Sequence, residues 1–109
     1  METYTMAIYY VSYPLKKDAS MPDFLLAAEK LNNEFISKQK GYVSWQQYRD
    51  GDTWADVLTF ETMADLENFK VISENPSELA EKFYSFMDLN PQLCKMHIFT
   101  VERSYYSRS

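Results

Sequence analysis

Apolar residues recur along this chain with two periods, near two and near 3.6, and the switches between them mark out its elements. Thr5 to Tyr13 (TMAIYYVSY) is dense in β-branched and aromatic residues and stops at Pro14, which predicts a first strand. After the polar turn Lys16-Lys17-Asp18, Ser20 can cap a helix with Pro22 in its first turn and Asp23 at the positive end of the dipole. Phe24, Ala28, Leu31 and Phe35 then fall at spacings of four, three and four, flanked by Leu25 and Ile36. They form one buried stripe of a helix running from about Met21 to Gln39. Lys38 and Lys40 suit its negative end, and Gly41 supplies the left-handed position beyond it.

Tyr42 to Arg49 (YVSWQQYR) and Trp54 to Glu61 (WADVLTFE) predict the second and third strands, joined into an antiparallel hairpin by the turn signal Asp50-Gly51-Asp52. Thr62, with Asp65 three residues on, opens a second helix whose apolar side is Leu66, Phe69 and Ile72. Asn75-Pro76 interrupts that helix, because a residue preceding proline avoids helical backbone. Ser77 recaps it, and Leu79, Phe83, Phe86 and Met87 continue it to about Asp88, before Asn90-Pro91. Leu93 to Arg103 predicts the fourth strand, and Ser104 to Ser109 a tail.

The order strand, helix, strand, strand, helix, strand predicts an α+β fold: a ferredoxin-like split β-α-β arrangement, with an antiparallel four-stranded sheet and two helices on one face. The other face is left bare. With Trp45, Tyr48, Phe60 or their neighbours pointing there it cannot stay wet, and two sheets closing face to face would make a dimeric α+β barrel. Composition points the same way. The 109 residues allow one domain, 1–109, and a chain this short buries only about 60–65% of the surface its unfolded form exposes. Yet 46% of its residues are hydrophobic and 17% aromatic, which excludes disorder and favours a homodimer that covers the excess.

The net charge of −5 argues against nucleic acid, since Lys16-Lys17, Lys38, Lys40, Arg103 and Arg108 make no basic stripe. No apolar run approaches the ~18 residues of a membrane span, and Met1 to Val11 lacks the basic start and long apolar run of a signal peptide. No membrane partner is expected, and the default compartment is the cytoplasm. Cys94 is the sole cysteine, which rules out an internal disulfide and a thiol-based zinc site. It reads as a small apolar strand residue more readily than as a nucleophile. Asp50, Asp52 and Asp56 gather around the hairpin, but their spacing fits no calcium loop, and Asp beside Gly is ordinary turn chemistry. Glu74, Glu78 and Glu81 read as a solvated helix face. With only two glycines there is no phosphate-cradling loop, so a nucleotide cofactor is not expected, and with one histidine neither is a metal.

The stretch GYVSWQQYRDGDTWADVLTFETMADLENF, Gly41 to Phe69, resembles the antibiotic-biosynthesis monooxygenase-like family of dimeric α+β barrels. Gly41-Tyr42 matches the family's helix exit ahead of the hairpin. Phe60-Glu61-Thr62 matches the aromatic, acid and Ser or Thr that lead into its second helix. The resemblance implies the fold over nearly the whole chain. It also implies where chemistry would sit. Haem-degrading members use an Asn, a Trp and a ligating His at positions that fall here at Tyr9, Phe69 and near Leu79, so haem degradation is not implied. The quinol and polyketide oxygenases of the family use neither metal nor flavin. A relative of these would be a cofactor-independent monooxygenase of an aromatic or quinol-like small molecule, with its pocket between the sheet and the broken second helix.

Such a reaction needs an apolar pocket, a proton acceptor and groups that stabilise a developing anion. Tyr9, His97 and Arg49 are the candidates for the chemistry, and Tyr13, Trp54 and Phe69 for the ligand pocket. His97 is a natural general base, with an ordinary pKa near 6.5. Tyr9, Tyr13, Trp54, Arg49 and His97 also fit as plain sheet residues. Two other readings of the whole chain stand beside the enzyme: a non-catalytic dimeric barrel that binds a small apolar ligand or has a stress or regulatory role, and a structural subunit of a larger assembly.

Overall fold

A computed structural model describes residues 5–107, so Arg108 lies outside the described residues. The chain runs β1 (Ala7–Pro14), α1 (Met21–Glu34), a 3-10 turn (Ile36–Lys38), β2 (Tyr42–Asp50), β3 (Thr53–Phe60), α2 (Met63–Ser73), α3 (Glu78–Tyr84) and β4 (Lys95–Thr100). The strands form one antiparallel sheet in the order β2-β3-β1-β4. This is the ferredoxin-like α+β arrangement that the element order predicts, with the second helix divided at Pro76 into α2 and α3. Among the described residues no helix is long and apolar enough to cross a membrane.

Three hydroxyls start the three helices. Ser20 Oγ accepts from the Asp23 amide at 3.3 Å, Thr62 Oγ1 from Asp65 at 3.1 Å and Ser77 Oγ from Ala80 at 3.3 Å, each filling one of the amides a helix start leaves open. The first helix is shorter than its apolar stripe predicts. It ends at Glu34, because Phe35 leaves helical backbone at φ −137°, ψ −63°, and Gln39 Nε2 donates to the freed Phe35 carbonyl at 3.1 Å. The break turns Ile36 inward, while Leu25 and Ile72 are exposed by 43% and 44% and lie outside the core.

Strand register decides what faces the helices. On β3 the residues Trp54, Asp56, Leu58 and Phe60 are all buried, and β1 sets Tyr13, Val11, Tyr9 and Ala7 directly beside them. On β2 the same face carries Trp45 and Gln47, paired with Leu58 and Asp56. Trp45 and Phe60 therefore point toward the helices, not onto the open face. A bulge between Tyr42 and Ser44 resets the alternation of β2, and only Tyr48 of the three aromatics expected on the open face is there. The core centres on Phe24 of α1, whose ring stacks on Phe83 at 5.2 Å and meets Trp54 edge-on at 5.1 Å.

The return from α1 into the sheet depends on Gly41. Its φ is +80°, and a Cβ there would collide with the side chain of Asp65, which is buried at the start of α2. Gly51, in the hairpin, has φ +60° but open space around it. Gly41→Ala should therefore cost about 2–4 kcal/mol in urea unfolding, adding a steric clash to left-handed strain, and Gly51→Ala only about 1 kcal/mol. Equal losses at the two sites would show that the approach of Asp65 is unimportant.

Candidate functional site

Three of the four inward residues of β3 are apolar, and the fourth is a carboxylate. Asp56 is 5% exposed and sits in mid-sheet, with Val11 beside it on β1 and Gln47 beside it on β2. From one residue pair further along, Tyr13 donates its hydroxyl to Asp56 Oδ2 at 2.8 Å. Trp45 Nε1 and Gln47 Nε2 lie near enough to favour the ionised carboxylate, yet neither closes a hydrogen bond. Asp56 Oδ1, Trp45 Nε1 and Gln47 Nε2 are thus buried without a partner.

Burial dominates the electrostatics here. It pushes the Asp56 carboxyl up to about 6, against the opposing pull of the Tyr13, Trp45 and Gln47 donors. The Tyr13 phenol is held well above its ordinary value, first by burial and then by the negative charge of Asp56 and the hydrogen bond to it. Tyr9 is raised by burial. Tyr84 is raised by burial and then by the proximity of Tyr9 and Asp56. A carboxyl group near neutrality, surrounded by phenols that stay protonated, combines a proton acceptor with several donors.

Asp56, Tyr9, Tyr13, Trp45 and Tyr84 line a partly open cavity of about 320 Å³ between the sheet and the helices. Tyr9, Tyr13 and Asp56 form its sheet side. Leu31 closes it from α1, Phe69 from α2 and Tyr84 from α3. Met87, Leu89 and Cys94 complete one end, where the chain leaving α3 pairs back onto β1 through Leu15 and Met87. Cys94 is half-buried and its thiol donates to the Asp88 carbonyl at 3.4 Å. The space is mostly apolar with a few convergent polar atoms, the usual character of a small-molecule site.

Of the residues singled out from the sequence, Tyr9, Tyr13 and Phe69 meet in this cavity. The other three lie elsewhere. His97 pairs with Tyr10 on the uncovered face of the sheet, its ring 6.3 Å from Tyr10 and 5.7 Å from Phe99. It is a solvent-side residue because its strand position has the opposite parity to Ile98. Arg49 is exposed at the hairpin end, where its Nε donates to the Gly51 carbonyl at 2.9 Å and its guanidinium lies 5.8 Å over the Trp54 ring. Trp54 is buried against Phe24 and borders, with Arg49, a separate polar hollow near the β1–α1 loop. The site candidates read from the sequence leave out Asp56, Trp45 and Tyr84, which line the cavity, and Gln47, which sits beside Asp56. Among the described residues no group of three or more His, Cys, Asp or Glu side chains is placed to hold a metal ion.

No protein-family model and no curated protein sequence matches the chain. Solved structures do. The cofactor-independent oxygenase SnoaB from Streptomyces nogalater matches with a TM-score of 0.68 at 10% identity, over 92% of this chain and 96% of that one. The ActVA-Orf6 monooxygenase of Streptomyces coelicolor, in complex with nanaomycin D, matches with a TM-score of 0.66 at 15% identity, over 95% and 94%. A nipsnap family protein of unknown function from Agrobacterium tumefaciens matches at 0.64 and 15%, over 94% and 93%. At such identities the likeness is one of fold, and the fold is that of the antibiotic-biosynthesis monooxygenase-like proteins, as the hairpin region implies.

Proposed function

We propose that this chain is a cofactor-independent monooxygenase of an aromatic, quinol-like small molecule, that Asp56 is its general base, and that it works as a homodimer. One observation carries the reading: a buried carboxyl group with a pKa near 6 lines a largely apolar cavity of about 320 Å³. The oxygenases that share the fold support it. On this reading Asp56 takes the general-base role that the sequence assigns to His97, while Tyr9, Tyr13 and Phe69 keep their places at the pocket.

The chemistry asks little else of the protein. Asp56 removes the proton of a phenol or an activated ring CH₂, leaving an electron-rich anion. The hydroxyls of Tyr9 and Tyr84 are donors for its developing charge. The anion passes one electron to dioxygen, the resulting radical pair combines into a peroxide, and Asp56 returns the proton. Loss of water then leaves a carbonyl, so one oxygen atom enters the product and one leaves as water. The apolar walls limit the access of bulk water to these intermediates.

The reading is tested with an oxygen electrode, anthrone as substrate and a chelator present, with no flavin or metal added. Protein-dependent oxygen uptake well above spontaneous oxidation, with one anthraquinone formed per dioxygen, is expected. Tight anthrone binding without acceleration would instead identify a ligand-binding barrel.

A further inference from the structure

Charge distinguishes this cavity as clearly as shape. Among the described residues that line it there is no Lys, Arg or His, and Asp56 is the only carboxyl group. Facing Asp56 are Tyr13 and Tyr9 from β1, Tyr84 from α3 and Cys94 beyond it, with the uncharged Trp45 and Gln47 from β2. Burial raises the three phenols, so they stay protonated. α1 and α2 contribute Leu31, Phe69 and Ser73, which carry no charge. Neighbouring cations are turned elsewhere. Lys16, Lys17 and Arg49 border the separate hollow near the β1–α1 loop, and Lys82 of α3 lies 5.3 Å over the ring of Phe86, outside the lining.

The helices add to this field. α1 reaches the cavity at Leu31, in its last turn, α2 at Phe69 and at Ser73, its last residue, and α3 at its last two residues, Phe83 and Tyr84. Each presents its C-terminal end, which carries the negative pole of the helix dipole. With Asp56 ionised, the cavity therefore holds one full negative charge and no positive one. Proton transfer from a neutral phenol to Asp56 keeps that count, since the phenolate gains the charge that the carboxyl group loses. A ligand with a carboxylate of its own would bring a second negative charge into a largely apolar space, where nothing pairs it. The open side of the cavity gives no relief when that charge sits beside the hydroxyl turned to Asp56, which lies buried on the sheet side.

We propose that the cavity selects its substrate by charge: it takes neutral fused-ring phenols, and admits a phenol with an anionic group beside the hydroxyl only together with a proton on Asp56. Such a complex is unproductive, because the proton that lets the anion in also occupies the base. Asp56 is thus the specificity-determining residue as well as the proton acceptor. The selectivity rests on the reading of this cavity as the substrate site, but its test measures binding alone. It can fail while oxygenation stands, and it can hold where no turnover is found.

The test is calorimetric titration of the full chain with 1-hydroxy-2-naphthamide and 1-hydroxy-2-naphthoate, which have nearly the same shape and differ by one negative charge beside the hydroxyl. Each is measured at pH 5 and pH 7, in two buffers that differ in heat of ionisation, so that protons taken up on binding are counted. The naphthoate is ionised at both pH values, whereas Asp56 titrates between them, at about 6. Naphthoate affinity should therefore fall about tenfold from pH 5 to pH 7, with about one proton taken up per molecule bound at pH 7. The amide should bind at both values without proton uptake and without that fall. In Asp56→Asn the naphthoate should bind with the same affinity at pH 5 and pH 7 and take up no proton. Naphthoate that binds the wild type equally at both pH values, or not at all at pH 5, would overturn the proposal. So would an amide that does not bind, or proton uptake that persists in Asp56→Asn.

Discussion

Asp56→Asn should make the protein more stable at pH 8, by about 2–3 kcal/mol, while lowering oxygenase turnover by a factor of about 10²–10⁴. The sign follows from burial. The carboxyl group titrates at about 6 in the folded chain against an ordinary 3.8, so folding takes up a proton between those values. The contribution of Asp56 to stability is therefore highest below about pH 4, falls as the pH rises to about 6, and stays reduced above it. A tenfold change in the acidity of one group corresponds to about 1.4 kcal/mol. An asparagine carries no charge to bury, and its carbonyl oxygen can still accept the Tyr13 hydroxyl now bonded to Asp56 Oδ2. Urea unfolding of both proteins at pH 4, 6 and 8 should show a slope for the wild type that Asp56→Asn largely removes. A variant that is less stable than the wild type at pH 8 would mean that the carboxylate is a structural element of the core. A buried charge that costs stability where it sits in a cavity is what a functional site leads one to expect.

Val57→Asp should convert a dimer into a folded monomer. Val57 lies in the middle of the sheet face that no helix covers, paired with Tyr10 of β1. Ile8 and Phe99 continue the same face, with Phe99 51% exposed. The apolar residues on this face call for a cover, and in the proposed homodimer a second copy of the chain would supply one. A carboxylate introduced at its centre would be buried unpaired in such an interface, which costs several kcal/mol and weakens association at least about 10²-fold. Sedimentation should give about twice the 12.9 kDa chain mass for the wild type and the single mass for the variant. The circular dichroism of the variant should be unchanged, since Val57 points away from the helices. A wild type that sediments as a monomer, or a Val57→Asp dimer, would place the contact elsewhere or remove it.

The architecture is legible in the sequence because each element carries its own local signal. Ser20, Thr62 and Ser77 mark the helix starts, Gly41 and Asp50-Gly51 the returns, and Pro76 the break. Where structure and sequence pattern part, a tertiary choice overrides a local one. The bulge at Tyr42 to Ser44 moves Trp45 from the expected open face to the covered one, and no pattern within β2 announces it. The site is half legible. Tyr9, Tyr13 and Phe69 share the cavity because strand parity and helix facing are readable from spacing. His97 attracts notice as the only histidine, but its parity with Lys95 and Phe99, against Met96 and Ile98, puts it on the open face. Asp56 reads with Asp50 and Asp52 as turn chemistry, although a contrary signal is present. In WADVLTFE it occupies the inward phase shared by Trp54, Leu58 and Phe60, where a charge is out of place unless it has a use.

The pH dependence of kcat/KM for anthrone oxidation, compared between the wild type and Asp56→Asn, tests the central claim most directly. If Asp56 is the base, the wild-type rate should rise with pH along a single limb with its midpoint near 6, and the residual rate of the variant should lose that limb. A variant that keeps the wild-type rate and the same rising limb would contradict the assignment of Asp56 and the cavity as the active site.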